Sequence, residues 1–443
     1  MLPPALPALP LLGNALEFYR DRHALIRKGY EQLGPIFSIR LGRQPTVILI
    51  GPEFHQFFFS ETDKSLNMDK PYPFLKALFG PVAFLASPEV YQEQRPILHS
   101  PFQREKMLKY VQIMQREVQK WLDSLGQTGE MNLVTEMNRL VQEVAGHALM
   151  GDEFQAKVGR EFWDLYTVLA KSLNPLIPSH WPLPAHIQRD RAKQKMRKLL
   201  TPIILERRQN PEKYDDFLQD FLNARGKSGQ PADDATITGL IQALMFASHE
   251  TTAGQAAWTI VELLRSPDYL GRVKAEIGQH APAGTPLDGR VMRQLEHIAW
   301  AVREIERLHP SADLLIRVAE KDFELGGYHI PKDWAVMVSS AVAHRLPQFF
   351  VDPEHFDPLR FAPGREEDNQ HRFALIGFGG GLHKCTGMNF ANNEMMIITT
   401  LLFQQFDLTL LPPEPRLNLS LGASRPDKAL VRYQRHPTPT HNS

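Results

Sequence analysis

The sequence predicts a mainly α fold with a small β region, and three observations predict it. An apolar pattern from about Asp233 to Leu264 opens on an acidic capping candidate and stops at Ser266-Pro267. A second helical pattern, about Val291 to Leu308, ends before His309-Pro310. Runs of β-branched and apolar residues are confined to short stretches, Pro35–Pro52 and Phe323–Val338. At 1.5 Å per residue the first helix is roughly 45 to 50 Å long, enough to cross an entire domain.

Taken in order, Met1 to Asn14 (MLPPALPALPLLGN) is apolar but broken by Pro3, Pro4, Pro7 and Pro10. It lacks the run of roughly 20 apolar residues that a spanning helix needs. Residues 1–14 therefore read as a proline-rich entry segment with no transmembrane anchor or signal peptide. A soluble, cytoplasmic protein is expected, membrane-associated only if an anchor has been trimmed from its N-terminus. Pro35–Pro52 breaks at Gly42-Arg43-Gln44, which predicts a hairpin. Ser172–Pro184 (SLNPLIPSHWPLP) is too rich in proline for a long helix. It reads either as a surface loop with a few packed side chains or as a mobile lip over a hydrophobic entrance. Phe323–Val338 alternates like strand around Gly326-Gly327, and a last helix is predicted from about Met388 to Phe406. No linker or fixed-period repeat divides the 443 residues, so 15–435 is expected to be one domain and 436–443 a disordered tail.

The 50 basic and 50 acidic side chains cancel. That removes the electrostatic argument for a nucleic-acid partner. One cysteine in the chain excludes intramolecular disulfides and multi-cysteine metal sites by counting. A lone cysteine is more often an inert buried residue than a reactive one, so its neighbours must argue otherwise.

They do. Cys385 sits in Phe378-Gly379-Gly380-Gly381-Leu382-His383-Lys384-Cys385-Thr386-Gly387, just ahead of the last predicted helix. Consecutive glycines let the backbone approach a flat ligand closely. A sulfur at a helix start is favoured as the thiolate, which can bind iron. The spacing of a phosphate-cradling loop is absent, so a nucleotide site is not indicated.

Two further clusters accompany it. Glu304 and Arg307 are three apart, on one helical face, and precede Phe356-Asp357-Pro358-Leu359-Arg360-Phe361. The same spacing recurs at Glu17/Arg20, Glu136/Arg139 and Glu262/Arg265, where solvated pairs are expected. Inside the longest helix lies Ala247-Ser248-His249-Glu250-Thr251-Thr252. Polar groups in an apolar helix are costly unless they face a cavity or water. A threonine there can also bond its own helix carbonyl and loosen the turn.

Together these segments resemble the cytochrome P-450 superfamily, whose cysteine loop reads Phe-x-x-Gly-x-(Arg or His)-x-Cys-x-Gly. The resemblance spans nearly the whole chain, through Arg425-Pro426 to Val431-Arg432-Tyr433. Its finer features look like the sterol 14-demethylase branch: Tyr72-Pro73-Phe74-Leu75 with Phe79-Gly80, then Met245-Phe246-Ala247, then Gly377-Phe378 with His383-Lys384-Cys385. Three positions depart from the pattern. Tyr91 stands where tryptophan is commoner, Ser248 where glycine is usual, and Glu250 where sterol demethylases usually have histidine.

The resemblance implies haem b (iron protoporphyrin IX) between the long helix and the cysteine-loop helix, with Cys385 as the iron ligand. It implies cofactor contacts from Tyr91, Arg95, Arg317, Phe378, His383 and Gly387. It also implies a buried network of Glu304, Arg307 and Arg360 bracing the loop, and proton handling by Glu250 and Thr251. The expected pocket wall is Tyr72, Phe74, Phe79, Leu244, Ala247, Leu314, Leu315 and Leu421, which suits a bulky sterol, terpenoid or fatty-acid-like substrate. The implied activity is insertion of one oxygen atom from O2 into a C–H bond. Because the chain contains no flavin or ferredoxin segment, a separate ferredoxin, flavodoxin or reductase-type donor is expected. Lys384, Arg372, Lys106 and Lys109 are candidates for its docking patch, and the protein is expected to be a monomer. Two other readings remain at this point: a peroxide-using or isomerase-type haem-thiolate enzyme, and a non-catalytic haem-binding sensor.

Overall fold

The computed structural model describes residues 1–173, 177, 179–419 and 423–437. Part of the Ser172–Pro184 segment, Leu421 and residues 438–443 of the expected tail therefore lie outside the described residues.

Helix dominates. The main helices are α1 (Ala15–Leu33), which packs on the sheet, and α2 (Pro88–His99), α3 (Leu133–Lys171), α4 (Asp234–Arg265), α5 (Glu296–Leu308) and α6 (Met388–Gln405), which supply cavity residues. The longest apolar pattern becomes α4 almost as read, because Asp233 caps it by accepting a hydrogen bond from the Thr236 N–H at 2.7 Å. α4 runs through the main core, with α3, α5 and α6 packed against it.

The Val291–Leu308 pattern is a correction. It forms two helices, Gly289–Gln294 and α5, parted at Leu295, whose ψ of 61° is not helical. The break is held from a distance. The buried Glu276 carboxylate accepts from the N–H groups of His297 at 2.8 Å and Ile298 at 3.3 Å, capping the start of α5.

The predicted hairpin is β1 (Ile36–Leu41) and β2 (Gln44–Leu49), paired antiparallel. With β3 (Leu66–Asn67), β4 (Leu314–Ala319) and β5 (Ala335–Ser339) it forms a sheet of order β1-β2-β5-β4-β3. Alternation along these strands separates two small cores. Phe37, Ile39, Ile48 and Met337 face one side with Leu25 and Ile26 of α1, while Ile36, Val47, Leu49, Val336 and Val338 face the other with Phe58. The entry segment lies along β1, with the Leu6 N–H donating to Ser38 O at 3.0 Å and the Arg40 N–H to the Asn14 side chain at 3.0 Å. Among the described residues no helix is long and apolar enough to cross a membrane.

Candidate active site

Between β5 and the cysteine loop lie a short helix, Ser340–Ala343, and two 3-10 turns, Pro358–Phe361 and Glu367–Asn369, and the loop leaves into α6. It is folded on itself, with the Gly379 N–H donating to Ile376 O at 2.8 Å and the Cys385 N–H to Phe378 O at 2.9 Å. Gly381 has φ +64°, and a Cβ there would stand 2.8 Å from Phe59 O. Only glycine meets both demands.

Cys385 opens onto an internal cavity of about 330 Å³ bounded by α4, the cysteine loop, β4 and α2. That opening is why the sulfur counts as accessible although it lies deep in the protein. Burial pushes its thiol up, while the backbone N–H groups of Gly387 and Met388 point at the sulfur and favour the anion. The expected helix-start environment is present, with α6 beginning at Met388.

Of the expected cofactor contacts, Tyr91, Arg317, Phe378, His383 and Gly387 line this cavity with Cys385. Arg317 is buried, and its guanidinium finds only Thr62 Oγ1 at 3.2 Å, its neighbour's carbonyl at 2.8 Å and the face of Phe58 at 4.8 Å. Burial pulls its pKa down, and no carboxylate pairs with it among the described residues. The Tyr91 hydroxyl donates to Leu382 O at 3.2 Å and its ring stacks on His383 at 4.0 Å. Arg95 stands off the cavity wall; burial pushes the Tyr91 phenol up, and the positive charge of Arg95 beside it opposes the shift. His383 Nε2 meets the buried Asp63 carboxylate at 2.7 Å, and its buried Nδ1 has no partner among the described residues.

Thr251 lines the cavity, and its hydroxyl donates to Ala247 O at 2.6 Å, the bond anticipated for a threonine in this helix. Glu250 does not line it. Its carboxylate faces Arg425 at 3.5 Å. Leu244, Ala247 and Leu315 lie on the wall, whereas Tyr72, Phe74, Phe79 and Leu314 do not. Tyr72 packs edge-on behind Phe84, a wall residue, at 6.0 Å, and Phe79 packs on Phe246 at 5.4 Å. The wall instead includes Phe59, Phe84, Leu98, Phe102, Leu240 and Phe390, which no motif marks. Glu306 was also missed; it lines the cavity beside Gly377, and burial pushes its carboxyl up to about 7.

Beneath the loop, Glu304 takes Arg307 and Arg360, all three without solvent exposure. Arg360 also reaches Glu367 at 2.7 Å. The network continues through His344, whose Nδ1 donates to Arg307 O at 3.1 Å and whose Nε2 accepts from the Ile376 N–H at 2.9 Å. Glu262/Arg265 is a correction to the solvated-pair expectation: Glu262 is buried and also holds His309 at 2.9 Å. In the expected docking patch, Lys106 and Lys109 are already paired with Asp220 and Asp215, whereas Lys384 and Arg372 are exposed and have no carboxylate partner among the described residues.

This arrangement, an accessible cysteine facing an apolar cavity across from a hydroxyl-bearing helix, has close parallels. The family model for cytochrome P450 matches residues 3–431. A sterol 14-demethylase of Arabidopsis thaliana is 32% identical over 98% of this chain and 91% of its own length. A sterol 14alpha-demethylase of Mycolicibacterium vanbaalenii is 32% identical over 96% of this chain and 95% of its own. In structure, a retinoic acid-bound cyanobacterial CYP120A1 superposes with a TM-score of 0.87 at 28% identity, covering 98% of this chain and 99% of that one. The chain belongs to the cytochrome P450 family and is a P450 monooxygenase, in a family that carries haem on a cysteine thiolate and works with O2 and redox partners.

Proposed function

We propose that this enzyme inserts one oxygen atom from O2 into a C–H bond of a bulky hydrophobic substrate, a sterol, terpenoid or fatty-acid-like molecule. Electrons come from a separate ferredoxin, flavodoxin or reductase-type donor. The observation that carries the reading is the Cys385 sulfur opening onto a cavity walled by Phe59, Phe84, Leu98, Phe102, Leu240 and Leu244. Such a wall binds by apolar burial, with a few polar groups fixing orientation.

The residues present fit haem b. Among the described residues, the buried Arg317 guanidinium has no carboxylate partner and a buried nitrogen of His383 has no partner; both are groups that a propionate would satisfy. Haem bound through Cys385 supplies the reductive activation of O2. The chain's own residues do the rest. Phe378 and the N–H groups of Gly387 and Met388 shield and hold the sulfur, while Tyr91 and Arg95 steady His383. Thr251 orients water at the α4 wall, and Glu250, paired with Arg425 off the wall, takes protons from outside it. Glu304, Arg307 and Arg360 keep the loop folded and the haem retained. Leu244, Ala247 and Leu315 touch the substrate, and Tyr72, Phe74 and Phe79 support the wall from behind.

The names of the relatives point the same way: sterols for the demethylases, retinoic acid for the cyanobacterial neighbour. The test is the carbon-monoxide difference spectrum of the reduced protein, followed by titration with sterols, retinoid-like acids and fatty acids. A strongly red-shifted Soret band and a substrate-induced spin shift are expected. An imidazole-like band would remove Cys385 as ligand, and a thiolate band with no spin shift from any of the three classes would remove the substrate class.

A further inference from the structure

Four residues of the cavity wall, Pro310, Ser311, Ala312 and Leu315, come from one short stretch of chain. Residues 310–313 lie outside the ladder that β4 makes with β5, which begins at Leu314. Their place is therefore set by other bonds. Ser311 Oγ donates to Thr251 O at 3.1 Å, the Ser424 N–H donates to Ser311 O at 3.0 Å, and Ser340 Oγ donates to Ala312 O at 2.7 Å. The next side chain adds a charged anchor, stronger than these neutral bonds. Asp313 is buried but not on the wall, and its Oδ2 takes Arg22 Nε at 2.5 Å and His23 Nε2 at 2.6 Å from α1.

Adjacent residues of a regular helix do not face the same way. α1 breaks at Asp21, whose φ of -155° and ψ of 90° are not helical, and the Asp21 carboxylate accepts from the Ala24 N–H at 2.9 Å to start the helix again. At that break two consecutive side chains reach one carboxylate oxygen. Burial alone would push the Asp313 carboxyl up; His23 and Arg22 outweigh it and hold the carboxyl below its ordinary value. Arg22 is itself buried and has a second acceptor, Leu419 O at 2.7 Å. Leu419 follows the first strand of a ribbon that pairs Leu417–Asn418 with Arg425–Pro426. Next to that ribbon's second strand, Ser424 O lies against Gly254 of α4, where a Cβ would stand 3.1 Å from it. One guanidinium thus joins α1, the wall stretch and the ribbon beside the central helix.

We propose that Arg22 is a positioning residue for substrate: through Asp313 and Leu419 O it fixes the wall stretch 310–315 against the ribbon and so sets which bulky molecules the cavity accepts. The inference rests on the reading above, in which the cavity holds haem and a hydrophobic substrate. A buried ion pair adds little net stability over apolar side chains of similar size, so what this one contributes is placement. Wall groups on irregular chain need such fixing, because a binding geometry is held to within about 0.5 Å by bonded neighbours that never touch the ligand.

The experiment compares haem-loaded full-length wild type with the double variant Arg22→Met/Asp313→Leu, which strands no charge. Two ligands of the haem iron are titrated by their visible spectra: imidazole, too small to press on the wall, and clotrimazole, an imidazole carrying three aryl rings. The double variant is expected to keep the thiolate spectrum and the wild-type imidazole affinity, and to weaken clotrimazole by about tenfold, the low end for one misfitted methylene group. A general loosening would weaken both ligands alike, so the ratio of the two affinities separates placement from stability. A ratio within about threefold of wild type overturns the proposal. Arg22→Lys, which keeps a charge for Asp313 but cannot fork to Leu419 O as well, replaces the double variant if that one fails to hold haem, and the same change in ratio is expected of it. A wild-type protein without a thiolate spectrum overturns the haem reading itself, so the two failures are distinct.

Discussion

Glu304 and Arg307, three residues apart on α5, meet in a two-pronged ion pair: Arg307 Nε donates to Oε2 at 2.8 Å and its terminal nitrogen to Oε1 at 2.7 Å. Neither side chain has any solvent exposure, and Arg360 donates to the same carboxylate at 3.1 Å. Such a group costs most when it is broken. Glu304→Ala leaves two guanidinium groups buried without their shared anion and is expected to destabilise the fold by about 3–5 kcal/mol. Urea unfolding measures the loss, and haem retention during gel filtration should fall with it. A stability within about 0.5 kcal/mol of wild type would rule out the bracing role.

Cys385→Ser exchanges the sulfur for an oxygen and changes little volume. The reduced carbon-monoxide complex is expected to lose its thiolate band while the secondary structure stays as in wild type by circular dichroism. A retained thiolate band would overturn the ligand assignment.

Thr251→Ala removes the hydroxyl that bonds Ala247 O. Haem binding should persist, because Thr251 touches no residue of the cysteine loop through that bond. Product formation is expected to fall by about 10²-fold, the low end for a positioned proton carrier, with electrons appearing as peroxide. Oxygen uptake measured against product decides it.

His55 gives an acid dependence. Its ring is fully buried, with Nδ1 donating to Phe373 O at 3.0 Å and Nε2 accepting from the Gly51 N–H at 3.3 Å. Burial pushes its pKa down from 6.5 to about 4, with the Phe373 bond opposing. Above the unfolded value both states are neutral and the group contributes nothing to the slope. Between 6.5 and about 4 only the unfolded chain takes the proton, so stability falls as pH falls. The loss from this group is roughly 3 kcal/mol across that window. Unfolding curves from neutral pH down to 4 check it, and a His55→Asn variant should show a shallower slope.

Legibility followed the range of the interactions. The α4 boundaries were readable because capping by Asp233 and the stop at Ser266-Pro267 act within a turn. The β1–β2 hairpin was readable for the same reason, its turn and alternation being local. The split at Leu295 was not, because the carboxylate that caps α5 belongs to Glu276, about twenty positions earlier. Glu262 shares its spacing to Arg265 with surface pairs, and only the packing of His309 against it made the pair a buried one.

By itself the sequence determined the family's cysteine-loop motif, the long hydroxyl-bearing helix and the mainly α class, since each rests on residues a few positions apart. Only the tertiary structure decided which side chains meet. It put Phe84, Leu98, Phe102 and Phe390 on the cavity wall, and left Phe79 and Leu314 off it. It turned Glu250 toward Arg425, 175 positions away, and, among the described residues, gave the Arg317 guanidinium no carboxylate partner. An apolar residue gains similar free energy in any dry environment, so its pattern predicts burial but not its neighbours. A charge or hydroxyl acquires its role from the groups that desolvate or bond it, and in a chain folded this far back on itself those come from distant segments.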